Sequence, residues 1–180
     1  MFKISAVFLA SLFLLNIKSD NSFDSNDALV PNKNLLHIGI VVENMDQSLE
    51  YWVKLLDLNE KPNVILAEGH HDNPTHYRGQ LSDAKAKLAF MKLDNMQIEL
   101  IEPIGNEKSH WLEFLETKGE GVHHIAFQVS ELGEKYMELY DQKGFPVAQK
   151  GGWDGGEYAY FDGLNSLGVM VELLESYNDK

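Results

Sequence analysis

The 180-residue chain contains no cysteine. That absence excludes a disulfide framework, a thiolate metal site and a cysteine nucleophile. Positive charge is scarce as well: 15 Lys and Arg stand against 28 Asp and Glu, for a formal charge of −13. So acidic a surface repels phosphate backbones and anionic lipids, and neither nucleic acid nor a membrane is an expected partner. The acidity is spread along the chain, which makes it a solubility feature and not a binding tail. No Ser-His-Asp arrangement with family spacing is visible. The glycine-rich stretch KGGWDGGEYAYFDG lacks the strand-to-helix setting of a phosphate loop and reads as a turn between strands. What the chain does have is apolar residues, 44% of the total. These can build the core of one domain or of two small intimate halves.

The N-terminus stands apart. In MFKISAVFLASLFLLNIKSD, Lys3 precedes an uncharged, mostly apolar run from Ile4 to Ile17. The run is shorter than the roughly 20 residues a membrane span needs, and it matches the core of a signal peptide. Residues 1–19 are read as a signal peptide cleaved after Ser19, and residues 20–33, DNSFDSNDALVPNK, as a flexible leader. The mature protein is then periplasmic or secreted, with no membrane attachment after cleavage.

From Leu35 a plan repeats. LLHIGIVVENMDQSLEYWVKLLDL runs strand, turn, helix: a strand from Leu35 to Val42, a capping box at Asn44 and Gln47, and Leu49, Trp52, Val53 and Leu56 on one helical face. GVHHIAFQVSELGEKYMELYDQKGFPV repeats it. Its strand runs from Val122 to Val129, Ser130 is the expected N-cap, Leu132, Tyr136, Leu139 and Tyr140 form the stripe, and Gly144 and Pro146 end the helix. Each unit closes on a similar strand, MQIELIEP (96–103) and GVMVELLES (168–176), with room for two more strands before it. These fall near 63–67 and 85–93 in the first unit, and near 146–150 and 157–161 in the second. The expected fold is α+β: two βαβββ modules in a cupped, barrel-like mixed sheet with helices outside. Residues 34–104 form the first module, 105–120 a linker with a helix near Ser109 to Thr117, and 121–177 the second.

Strand parity selects the functional candidates. Successive side chains of a strand point to opposite faces. His37 shares a face with Gly39 and Val41, Glu99 with Gln97 and Ile101, and Glu172 with Met170 and Leu174. Each lies opposite the more regular apolar set that a helix should cover. In the second opening strand His124 shares a face with Ala126 and Gln128, while His123 goes with Ile125, Phe127 and Val129. His124 is therefore the candidate, and His123 is expected at the edge of a packed face. Two imidazoles and two carboxylates facing one cavity make a cage for one divalent ion: Zn, Ni, Co, Fe or Mn.

HIGIVVENMDQSLEYW, MQIELIEPIGNEKSHWLEFLETKGEGVHHIAFQV and GVMVELLE together resemble the vicinal oxygen chelate superfamily, above all its methylmalonyl-CoA epimerase branch. The likeness covers about Leu35 to Tyr177. It implies metal ligands at His37, Glu99, His124 and Glu172, in agreement with parity on His124. It also implies the shared chemistry of glyoxalases and epimerases: a metal-dependent lyase or isomerase that abstracts a proton next to a carbonyl, with the metal chelating the substrate and stabilising the enolate. Glu172 or Glu99 would be the base. The stretch matching the strand that carries the epimerases' own glutamate base, AKAKLAFMKL, offers Lys85 and Lys87 and no carboxylate, which argues against a CoA-ester substrate. Two alternatives stay open: an extradiol-type dioxygenase using His37, His124 and Glu172, and a non-catalytic small-molecule binder like the resistance proteins. Dimers are common among such proteins, so a homodimer is one expected assembly.

Tyr77, Arg78 and Trp153 are the candidate substrate-binding residues. Arg78 could clamp a carboxylate or form an exposed salt bridge, and Trp153 could cover the pocket mouth. His70, His71 and His76 cluster in the long loop AEGHHDNPTHYRGQLSDA and read as solvent-exposed, with a second metal site as the alternative. Trp52 and Trp111 fall in helical stripes and read as core. N-terminal sequencing of the natively produced protein should begin near residue 20; a soluble cytoplasmic protein starting at Met1 or Phe2 would contradict the export reading.

Overall fold

The computed structural model describes Val30, residues 33–130 and residues 132–177. The expected signal peptide and nearly all of the expected leader lie outside the described residues. The elements in chain order are β1 (Leu35–Val41), α1 (Met45–Leu56), β2 (Val64–Glu68), β3 (His76–Tyr77), β4 (Gln80–Leu81), β5 (Lys85–Lys92), β6 (Gln97–Ile104), α2 (His110–Lys118), β7 (Gly121–Gln128), α3 (Glu134–Gln142), β8 (Val147–Trp153), β9 (Gly156–Phe161) and β10 (Met170–Ser176).

All ten strands belong to one curled mixed sheet, in the order β2-β5-β6-β1-β7-β10-β9-β8-β3-β4. Its two halves follow one plan. β1 runs parallel to β6, which pairs antiparallel with β5, and β5 with β2. β7 runs parallel to β10, which pairs antiparallel with β9, and β9 with β8. The antiparallel pair β1–β7 joins the halves across an approximate two-fold axis.

The helices form where local chemistry and tertiary burial agree. Asn44 caps α1, its side chain accepting from the Gln47 N–H at 3.0 Å. α1 then lays Met45, Leu49, Trp52 and Leu56 over Val42, Ala89, Ile98 and Leu100, on the outer face of the first half. α3 does the same for the second half, with Tyr140 and Met137 against Ala159, Phe161, Val171 and Leu173. The side chains of Tyr136 and Leu139, the other members of its expected stripe, lie outside the described residues. α2 is capped by Ser109, which accepts from the Leu112 N–H at 3.1 Å. It goes to the concave side. Its Trp111 and Phe114 pack on Val41, Ile101, Tyr160 and Met170 and plug one end of the cup.

Two local expectations are corrected. α3 begins at Glu134, four residues beyond the expected cap Ser130. Leu132 is buried in the outer core and its N–H donates to Glu175 Oε2 at 2.8 Å, so a tertiary anchor holds this stretch out of the helix. The long loop of the first module is not structureless. Arg78 and Gly79 both take positive φ, 48° and 77°, as a two-residue hairpin turn requires, and fold β3 against β4. β3 pairs with β8, with His76 opposite Lys150 and Tyr77 opposite Gln149. A segment of the first module thereby covers the edge strand of the second, which would otherwise expose unpaired backbone groups.

Candidate metal centre

Register across the β1–β7 seam builds the site. Gly39 lies opposite His124 on β7 and beside Glu99 on β6; Ala126 lies opposite His37 and beside Glu172 on β10. In each row across the sheet a small residue separates a histidine from a glutamate, and the rings and carboxylates lean over it. A Cβ at Gly39 would overlap the His124 ring, so only glycine admits that ring here.

The four side chains meet at one point. His37 Nε2 and His124 Nε2 are 2.9 Å apart. Glu99 Oε2 lies 3.3 and 3.2 Å from them, and Glu172 Oε2 lies 2.9 and 3.1 Å from them. All four residues are buried, yet neither Glu99 Oε2 nor Glu172 Oε2 has a hydrogen-bond partner. A dry carboxylate oxygen without a donor is costly, and a cation relieves that cost. Five of the six separations among these atoms are 2.9–3.3 Å, the spacing of neighbouring ligands around an ion bound at about 2 Å, as Zn²⁺ is by imidazole and carboxylate. The residues fit a divalent ion, and their two nitrogens and two oxygens admit any of Zn, Ni, Co, Fe and Mn.

Without an ion, protons take its place. Burial pulls the His37 imidazole down, but the carboxylates of Glu172 and Glu99 outweigh it and hold the ring up at about 10. His124 is raised for the same reasons. Burial pushes Glu99 and Glu172 up, and the two imidazoles more than reverse it, taking Glu172 down to about 2.

Above the centre opens a cavity of about 570 Å³, walled by Ile65, Leu66, Leu88, Phe90 and Leu174 among others, with His37, Glu99 and Glu172 at its floor. The model of the glyoxalase/bleomycin resistance protein/dioxygenase superfamily matches residues 36–161. The chain belongs to that superfamily. It is 30% identical over 151 residues to the uncharacterized protein YqjC of Bacillus subtilis, covering 80% of this chain and 93% of that one. It is 22% identical over 182 residues to the mitochondrial methylmalonyl-CoA epimerase of Bos taurus, covering 95% of each. Among solved structures, a hypothetical protein of Bacillus halodurans aligns with a TM-score of 0.55 at 26% identity, over 79% of this chain and 93% of that one. Methylmalonyl-CoA epimerase of Mycobacterium tuberculosis aligns with 0.54 at 22%, over 83% and 91%.

In this member of the superfamily His123 does not take the outer face that parity gives it. Between Gly39 and Ile40, β1 advances one residue while β7 advances two, from His124 to Val122. His123 is the extra residue of a β-bulge, and the bulge turns it inward beside His124. A matching shift in β1 skips Leu36, which accordingly lines the cavity beside His37.

The bulge sets up a chain of buried rings. His124 Nδ1 lies 3.0 Å from His123 Nδ1, and His123 Nε2 lies 2.8 Å from His110 Nδ1. With a cation on His124 Nε2, Nδ1–H donates to His123, whose Nε2–H donates to His110, whose own Nε2 faces Glu113 Oε2 at 3.9 Å. Every ring then has one tautomer. Burial lowers the pKa of both His123 and His110, which keeps them neutral as this chain requires. Such outer partners fix a ligand's orientation and raise its basicity. Neither His110 nor the ring chain was legible, because parity sent His123 elsewhere.

Tyr77 and Arg78 lie at the far end of that chain and not in the cavity wall. Arg78 Nη2 donates to both oxygens of Glu113 at 2.8 and 2.9 Å, and Tyr77 OH donates to Oε2 at 2.8 Å. Trp153 stands at the cavity wall with 41% of its surface exposed. His70 and His71 line the same wall and form a loose group with Asp72, whereas His76 turns away to the Pro74 carbonyl at 3.0 Å. Glu68, at the end of β2, is a wall carboxylate that sequence reasoning passed over; Lys85 Nζ holds it at 2.7 Å.

A calorimetric titration of metal-free protein with Zn²⁺ checks the centre. Both ligand histidines hold their protons more tightly than a free imidazole, so binding should release protons, and affinity should rise with pH until His37 deprotonates near 10. His124→Ala should remove most of the bound metal at one equivalent of Zn²⁺. His123→Ala should keep one ion per chain at roughly 10- to 100-fold lower affinity. Binding without proton release, or equal retention of metal in both variants, contradicts the assignment.

Proposed function

We propose that the protein is a metal-dependent lyase or isomerase that removes a proton from a carbon next to a carbonyl. The observation that carries this reading is the convergence of two imidazoles and two unpartnered carboxylate oxygens at the floor of an open cavity. A divalent ion bound there supplies Lewis acidity to a substrate oxygen. The chain's own part is to accept the proton. Glu99 and Glu172 are ionised across the neutral range and shielded from water, and each is related to the other by the approximate two-fold axis, so each is a candidate base. Tyr158 and Tyr160 also line the cavity. Burial raises both phenols above their usual range, so they stay protonated, and each accepts a hydrogen bond, Tyr158 from Gln149 and Tyr160 from Trp111. The extradiol alternative has less support, because Glu99 is a fourth donor in a position that oxygen would need. The substrate is a small molecule, and the N-terminal pattern supports work outside the cytoplasm.

Solvent exchange tests the chemistry without knowledge of the product. Metal-loaded protein in deuterated buffer should exchange the proton next to the carbonyl in at least one member of a panel of 2-hydroxy, 2-oxo and thioester compounds. A chelator should stop it. Glu99→Gln or Glu172→Gln, whichever removes the base, should lower the rate by roughly 10²–10⁴ with metal still bound. Full exchange in both metal-bound Gln variants contradicts the base assignment. Oxygen consumption with a catechol, and no exchange across the panel, replaces this reading with a dioxygenase.

A further inference from the structure

The cavity wall is short of one kind of charge. Among the described residues that line it there is no lysine or arginine. Its ionisable side chains beyond the centre are Glu68, His70, His71, Asp154 and the two protonated phenols of Tyr158 and Tyr160. Lys85 does not line the cavity, and its ammonium is held by the wall carboxylate Glu68 at 2.7 Å. Arg78, the one arginine of the chain, is held by both oxygens of Glu113 outside the cavity. The centre does not supply the missing charge either, since two carboxylates balance a divalent ion. A carboxylate or phosphate entering this space would lose its hydration, meet Glu68 and Asp154, and find no cation in return. Apart from the uncharged polar side chains of Thr75 and Gln97, the rest of the wall is apolar and aromatic, and it rewards a body that carries no charge.

We propose that the cavity takes an uncharged, largely apolar small molecule, aromatic or branched, that offers two oxygens to the centre, and that it discriminates against chelators with an anionic tail. This rests on the metal-centred reading above and narrows its substrate class. Methylmalonyl-CoA, the compound that names the related epimerases, carries a carboxylate and phosphates and falls outside the class.

The test uses the full chain loaded with Co²⁺ and three hydroxamic acids that share one chelating group: benzohydroxamic acid and its 4-carbamoyl and 4-carboxy derivatives. The last two have nearly the same shape and differ in charge. Binding is read from the Co²⁺ visible spectrum. The 4-carboxy compound should bind at least tenfold more weakly than the 4-carbamoyl compound. Glu68→Gln, which releases Lys85, should narrow the gap at least threefold, and Asp154→Asn should act in the same direction. Equal or tighter binding of the 4-carboxy compound overturns the proposed class while leaving the metal centre standing. If none of the three changes the Co²⁺ spectrum, the centre does not accept a chelating substrate, and the reading beneath the proposal fails with it.

Discussion

The antiparallel seam between β1 and β7 fixes where every donor of the centre stands. Opposite each ligand histidine the seam places a residue with almost no side chain, Gly39 against His124 and Ala126 against His37. The parallel partners β6 and β10 then bring a glutamate alongside each small residue. Neither half holds the complete set: each gives one imidazole and one carboxylate. Docking of the halves and assembly of the centre are therefore one event, and a bound ion would add its affinity to the stability of the seam. The clash that a Cβ at Gly39 would cause shows how little slack this packing has.

Charge around the centre is arranged in layers. The innermost four groups carry two carboxylate charges, which one divalent ion would balance. Next come neutral rings: His123 and His110 behind His124, and Tyr158 and Tyr160 beside the cavity. Full charges return farther out, at Glu68 and Asp154 on the cavity wall and at Glu113, which Arg78 and Tyr77 pin. A dry, polar but uncharged shell strengthens the field of whatever sits at the centre, and it explains why the rings can be buried without counter-ions.

Much of this was legible in the sequence because two periodicities were clean. The alternation in LLHIGIVV, MQIELIE and GVMVELL marked Ile38, Ile40, Ile98, Leu100, Val171 and Leu173 as an outer face, and all of these but Ile38 pack in the clusters beneath α1 and α3. His37, Glu99, His124 and Glu172 fell on the other face by the same count. What escaped notice breaks periodicity or depends on distant partners. A bulge adds one residue without altering the local pattern, so His123 went to the wrong side. The β3–β4 hairpin has two-residue strands, too short for alternation to register, and only the open edge of β8 gives it a reason to form. The start of α3 is set by Glu175, more than forty residues away from Leu132 along the chain. Tyr77 and Arg78 looked like a substrate clamp because their partner Glu113 sits on a different element.

The central claim is that four side chains from two structural halves share one ion. X-ray absorption at the metal edge, on protein purified without added metal and then supplied with one equivalent of Zn²⁺, tests it most directly. The account predicts one ion per chain in a shell of nitrogen and oxygen only, at about 2.0–2.2 Å, with the scattering signature of two imidazoles that falls to one in His37→Ala. A shell with no imidazole, or one unchanged by His37→Ala, would contradict it.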